Sequence, residues 1–332
     1  MARSDRYKEK VKKKMSTGKK VAISIGSIVL VMVLLCGGIF AYGYNKFSKM
    51  KQVKLSDKAE DIGISKETED MIKDKNEVRN ILITGIDHDE DATDTMMIVT
   101  IDNSEQKIKL ASIYRDTYIK DTPEGQVPKL NYAHKYGGIQ NTVKVINESF
   151  KIDIRDYVNV DYEGFFKIVD IVGGVELDVP AEDIYAINNK IDYICSKDFK
   201  DVTPSKNYLK KGGKQQLNTI QTMAFLRYRT SSGDYARTDR NREFIDSMLK
   251  KLSSAGLNKM LEVYDTVAPY VETTLSMKDL ISIGTSVASF GGKEIEQAAF
   301  PYDAETIFVD GWNYFGWDEE SNIEKIHQFI YE

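Results

Sequence analysis

The chain has 332 residues, 42% of them hydrophobic, which is enough for one large packed domain or two. Its formal charge of −5 hides an asymmetry: residues 1–20 hold nine Lys/Arg against Asp5 and Glu9, or +7, leaving −12 for the rest. An acidic remainder argues against a nucleic-acid binder, which needs a basic surface, and two cysteines, Cys36 and Cys195, are too few for a disulfide scaffold.

Val21–Tyr44 runs 24 residues without a charge. As a helix this spans about 36 Å, against a hydrocarbon core of about 30 Å. The run is longer than a signal-peptide core and no A-x-A-like site follows it. Cys36 follows Leu35 rather than a small residue, which fits a lipoprotein site poorly. The basic flank should stay in the cytoplasm. The expectation is a single-pass protein of the cell membrane with a cytoplasmic tail (1–20), a transmembrane helix (21–44), a polar juxtamembrane stalk (45–78) and an extracellular domain (79–332). In that topology Cys36 and Cys195 cannot pair.

Within the domain, Asn80–Thr84 is a short apolar run that predicts a buried strand. Thr95–Ile101 and Lys107–Ile113 predict two more, joined by the turn signal Asp102-Asn103-Ser104. Helices are predicted at Asn141–Phe150, Tyr162–Val172, Leu217–Leu226, Arg237–Leu252, Leu257–Tyr264, Met277–Phe290 and Ser321–Tyr331. Extended segments are predicted at Tyr157–Val160, Val175–Val179 and Ile295–Phe300. Ala181–Gly213 shows no clear period and reads as an insertion. Strands interleaved with helices indicate an α/β layered sheet.

The chemistry is narrowed first by what is missing. There are three histidines, no G-x-S-x-G or H-E-x-x-H, and no phosphate-cradling glycine loop. Arginine is the positive signal. Beyond residue 20 there are eight, and five fall in Leu226–Arg242: Arg227, Arg229, Arg237, Arg240 and Arg242. A guanidinium fork grips phosphate or carboxylate oxygens, so such a cluster implies an anion; a salt-bridged surface helix is the alternative. Asp87 follows the first strand, Asp94 precedes the second, and Arg115 closes the third. If the strands are neighbours, these groups share one sheet edge, where open α/β sheets bind ligands. Two carboxylates without His or Cys suit Mg²⁺ or Mn²⁺ shared with a substrate phosphate; a solvated acidic turn is the alternative.

The ordered blocks NILITGID, TDTMMIV, SIYRD, KLNYAHKYGG, VDYEGFFKIVDIVGGVELDVP, QTMAFLRYR and DYARTDRNR resemble the LytR–CpsA–Psr family of Gram-positive cell-wall proteins. The resemblance runs from about Asn80 to Met248. It implies a three-layer α/β/α sandwich with a central mixed sheet and an apolar tunnel for a polyprenyl chain. It also implies transfer of a glycopolymer from an undecaprenyl-pyrophosphate carrier to peptidoglycan through a phosphodiester. By motif, Asp87 and Asp94 correspond to the Mg²⁺-associated acids, and Arg115, Arg227, Arg229 and Arg237 to pyrophosphate-binding arginines. Arg240, Asn241, Lys129 and Asn131 are expected at the substrate. Three positions depart from the family pattern: Ala92 replaces an arginine, Tyr114 a proline and Asn241 a glutamine. The resemblance leaves two rivals, a non-catalytic polyprenyl-pyrophosphate-binding protein and a lipid pyrophosphatase.

Overall fold

The computed structural model describes residues 49–87, 90–228, 240, 243–244, 247–248, 251, 256–290 and 296–332. The expected transmembrane helix and cytoplasmic tail lie outside these residues. Among the described residues no helix is long and apolar enough to cross a membrane.

The frame is a mixed sheet of seven strands. In chain order these are β1 (Lys51–Gln52), β2 (Val78–Asp87), β3 (Ala92–Asp102), β4 (Lys107–Ile113), β5 (Ile154–Asp161), β8 (Val271–Thr273) and β9 (Glu296–Phe300). Their spatial order is β1-β8-β5-β2-β3-β4-β9. β2, β3 and β4 form an antiparallel meander, while β5 joins β2 and β9 joins β4 in parallel. β6 (Val175–Val179) and β7 (Gly213–Leu217) pair in a small separate sheet, and β10 (Glu305–Val309) and β11 (Trp312–Gly316) form a hairpin.

Alternation along the strands creates two cores. Ile81, Met97, Val99, Ile108 and Leu110 face one cluster, which takes in Phe166 and Val169 of α3 (Tyr162–Ile171) and Ile187 and Ile191 of α4 (Ile184–Lys197). The same cluster holds Phe225 and Leu226 of α5 (Thr219–Arg227). Leu82, Met96, Ile98, Ala111 and Ile113 face the other, with α2 (Gly138–Phe150) and α8 (Glu319–Tyr331). Helix α2 fits because Ile139, Val143, Ile146 and Phe150 recur at helical spacing on one buried stripe. Further helices among the described residues include α1 (Lys66–Ile72), α6 (Gly256–Val267) and α7 (Met277–Ser289).

Two expectations change. Residues 49–78 are not a stalk: Lys51–Gln52 hydrogen-bond into the sheet beside β8, and Met50, Leu55, Ile62 and Ile64 are buried. Apolar side chains this far apart give no period, yet each finds the domain's surface. The stretch 181–213, read as an insertion with no clear period, has regular structure. It folds as α4, anchored by Ile187, Ile191 and Ile194, with Asn188 exchanging two hydrogen bonds with Leu209.

Candidate functional site

β2 and β3 pair with Gly85 opposite Thr95 and Ile86 opposite Thr93, so Asp94 is the extra residue of a β-bulge. Bulges leave one residue out of the ladder and re-aim its side chain. Extending the β3–β4 register by two residues beyond Met96 and Ile113 brings Asp94 opposite Arg115. There Arg115 Nη1 donates to Asp94 Oδ1 in a charge-assisted hydrogen bond, with side chains only 13% and 16% exposed. Arg115 Nε lies 3.5 Å from Asp116 Oδ1, and Lys129 Nζ lies 3.3 Å from that same oxygen. The outcome is a row of alternating charge: Asp94, Arg115, Asp116, Lys129.

Backbone contacts hold the row in place. A 3-10 turn at Leu130–Tyr136 lies across it: Asn131 N donates to Arg115 O at 3.1 Å, and Leu130 N to Thr117 O at 3.0 Å. Thr93 Oγ1 donates to Asn131 O at 3.3 Å, tying the start of β3 to the turn. From the other side Phe315 N of β11 donates to Asp116 O at 2.8 Å. The Lys129 ammonium sits 5.2 Å from the Tyr314 ring centroid and 5.9 Å from that of Trp312. Burial, with the charge of Glu90, raises the Tyr132 phenol pKa against the opposing pull of Arg115, so this ring stays protonated beside the row.

The site residues expected from the sequence are partly assembled. Asp94, Arg115 and Lys129 come together, and Asn131 is buried with its backbone holding Arg115. Asp87 ends β2 opposite Ala92, two residues from Asp94, and its side chain lies outside the described residues. Arg227 closes α5, a helix started by a reciprocal Asn218–Gln221 capping box. Arg240, expected at the substrate, is 7% exposed and faces its own chain. Its Nη2 donates to Tyr228 O at 2.8 Å and its guanidinium lies 4.1 Å from the Tyr228 ring centroid. Burial pushes the Tyr228 phenol up to about 12, with Arg240 opposing and the hydrogen bond to Asp183 adding to it. Arg240 therefore braces the residue that follows Arg227. Arg229, Arg237 and Asn241 lie outside the described residues.

Three groups at this edge escaped the sequence reading. Asp116 neighbours Arg115 and is buried, and Asp161 ends β5 beside Ile86. His134 Nδ1 meets Asp91 Oδ1 at 2.9 Å, where Asp91 takes a left-handed conformation in the β2–β3 turn. Both aspartates Asp116 and Asp161 end quoted blocks or follow strand ends, a signal available in the sequence.

Among the described residues no three His, Cys, Asp or Glu side chains gather as a metal cage. Mg²⁺ does not require one, since it commonly takes one or two carboxylates and completes its octahedron with water and substrate phosphate. Asp87 and Asp94 are hard-oxygen donors of that kind, the Asp87 side chain lying outside the described residues. Ala92, at the family pattern's arginine position, is fully buried, and Lys129 is the cation that ends the row on the side away from Asp94.

The sequence model of the LytR_cpsA_psr family matches residues 38–329. The chain is 29% identical over 286 residues to the polyisoprenyl-teichoic acid–peptidoglycan teichoic acid transferase TagU of Enterococcus faecalis, covering 84% of this chain and 87% of that one. It is 28% identical over 246 residues to the transferase TagV of Bacillus subtilis, covering 72% of this chain and 59% of TagV. The crystal structure of B. subtilis TagV is similar with a TM-score of 0.55 at 25% identity, over 77% of this chain and 98% of that one.

Proposed function

The chain belongs to the LytR_cpsA_psr family, and on that premise we propose that it transfers a glycopolymer such as teichoic acid from a polyprenyl-pyrophosphate carrier to peptidoglycan. In this reading an acceptor hydroxyl oxygen attacks the phosphorus that bears the glycan. The bond from that phosphorus to the bridging oxygen breaks, polyprenyl phosphate leaves with the electron pair, and the hydroxyl proton passes to a base. The products are a glycan–peptidoglycan phosphodiester and the lipid monophosphate.

The observation that carries this reading is the bulge-borne Asp94 against Arg115 at the sheet edge. It places an acid and a guanidinium side by side where developing phosphate charge needs both. Arg227, Arg229 and Arg237 grip the leaving lipid phosphate, Arg240 fixes the backbone after Arg227, and Asn131 sets the height of Arg115. Asp87 and Asp94 would hold Mg²⁺ or Mn²⁺, which supplies charge neutralisation at the phosphate oxygens. The domain is a three-layer sandwich held outside the cell at the membrane by residues 21–44, so that the lipid donor is presented at its surface.

The test uses the full chain in detergent micelles with a lipid-linked glycan donor, Mg²⁺ and peptidoglycan. Glycan should appear on peptidoglycan with matching release of polyprenyl phosphate, and Arg227→Ala should slow this by about 10²–10³. Undiminished turnover by Arg227→Ala would remove that residue's assigned role. Phosphate release without peptidoglycan would replace transfer by hydrolysis.

A further inference from the structure

The hairpin β10–β11 turns through Asp310 and Gly311, both at positive φ (48° and 85°), the geometry of a two-residue type I′ connection. Its base is packed, with Tyr314 and Phe315 both buried. Trp312, two residues closer to the tip, is 55% exposed. An indole left in water at the tip of a rigid turn is an expensive surface unless something covers it. Tyr185 and Tyr193 are also exposed, but on α4, and Phe308 lies on the opposite face of the hairpin. Of the exposed aromatic rings described, Trp312 is the one that lies against the charged row, through the Lys129 ammonium.

We propose that Trp312, with Lys129 beside it, is the stacking platform that receives a pyranose ring of the peptidoglycan acceptor. The inference rests on the transferase reading above. A pyranose presents an apolar C–H face that an indole covers well, while its hydroxyls meet adjacent polar groups, here the Lys129 ammonium through donors beyond the one facing Asp116. The side of approach selects the acceptor over the glycan of the donor. Leu130, next to Lys129, belongs to the core on one face of the sheet, whereas Leu226 and Tyr228, flanking Arg227, belong to the core on the other. An in-line displacement at phosphorus keeps attacking and leaving oxygens on opposite sides. With the leaving lipid phosphate on the Arg227 side, the attacking hydroxyl comes from the side of Lys129 and Trp312.

The sequence contains two tryptophans. Trp317 is engaged elsewhere, its Nε1 donating to Tyr118 O at 3.0 Å. The full chain carrying Trp317→Phe therefore reports on Trp312 alone. Titrating it with an N-acetylglucosamine–N-acetylmuramic acid tetrasaccharide should give a saturable change in emission. In the transfer assay Trp312→Ala should raise the acceptor KM about tenfold, the scale of one lost aromatic stacking contact. The donor KM should stay within twofold, and Trp312→Phe should keep the acceptor KM near wild type. An unchanged acceptor KM in Trp312→Ala, or a donor KM that rises instead, overturns the proposal. Tetrasaccharide binding that depends on Trp312 in a chain that transfers nothing would sustain the platform and sink the transferase reading. Transfer with no tetrasaccharide signal would do the reverse.

Discussion

The two ends of β2 each carry an arginine among aspartates, and they are built differently. At the start of the strand Arg79 grips Asp156 Oδ2 with Nε at 3.0 Å and Nη2 at 2.7 Å, and reaches Asp279 Oδ1 with Nη1 at 3.0 Å. The carboxylates are closed off in turn: Thr274 Oγ1 donates to Asp156 Oδ1, and Ser276 N donates to Asp279 Oδ2. Burial alone would lower the Arg79 pKa, but Asp156 and Asp279 outweigh it and raise it. At the other end Asp94 is thrown out of the ladder by a bulge and Arg115 meets it through Nη1, with Asp116 at 3.5 Å from Nε. Neither contact is the two-nitrogen fork. The same residue types thus grip one carboxylate with two nitrogens at one end and meet two carboxylates through single contacts beside a bulge at the other, and it is this geometry, not the presence of Arg and Asp, that separates them.

Three substitutions probe that contrast. Arg115→Ala should lower the transfer rate per folded molecule by about 10²–10³; an undiminished rate in the folded fraction would make the two ends equivalent. Arg79→Ala should do the opposite, destabilising the fold by about 2 kcal/mol in urea unfolding and sparing the rate per folded molecule. The smallest effect concerns acid. Burial pushes the Asp279 carboxyl upward, but hydrogen bonds from Ser276 and the charge of Arg79 outweigh it and hold it below 3.8. A depressed carboxyl stabilises the fold above its unfolded pKa, and that contribution is lost as pH falls through the folded value. Unfolding free energies from urea titrations should therefore fall more for wild type than for Asp279→Asn between pH 6 and pH 3, by under about 1 kcal/mol. Equal slopes would show that Asp279 is not a closed partner of Arg79.

The strands of the meander were legible because each is an unbroken apolar run bounded by a turn signal. Lys107–Ile113 is observed as expected, and β2 and β3 extend beyond the apolar run at both ends, reaching Asp87 and Ala92 at the site edge. The juxtaposition of Asp94 with Arg115 was also legible, since it needs only neighbouring strands and their ends. The bulge was not, because nothing in ATDTMM marks which residue leaves the ladder. The hairpin was missed although Asp310-Gly311 between alternating residues is a strong short-range signal. In α4 the spacing of Ile187, Ile191 and Ile194 was diluted by Asn, Lys and Tyr on the other faces. Arg240 looked like a ligand because composition reports charge and not direction; only packing shows the guanidinium lying on Tyr228.

The short pairing of β1 with β8 has a further consequence. Lys51 lies level with Glu272, which faces Asn159, which faces Thr84. β1 is parallel to β8, and β8 is antiparallel to β5, so β1 descends while β2 rises. The chain therefore enters the sheet from the end that carries Asp87, Asp94 and Arg115. If residues 21–44 lie in the bilayer, as proposed, the six residues from 45 to 50 that precede β1 form a leash spanning at most about 22 Å. Such a leash orients as well as tethers. In that arrangement the reactive edge would look back toward the lipid surface, and the carrier's headgroup would need to rise only a short way to meet it. Lengthening that leash would trade this fixed posture for free tumbling, with the fold and the edge left intact.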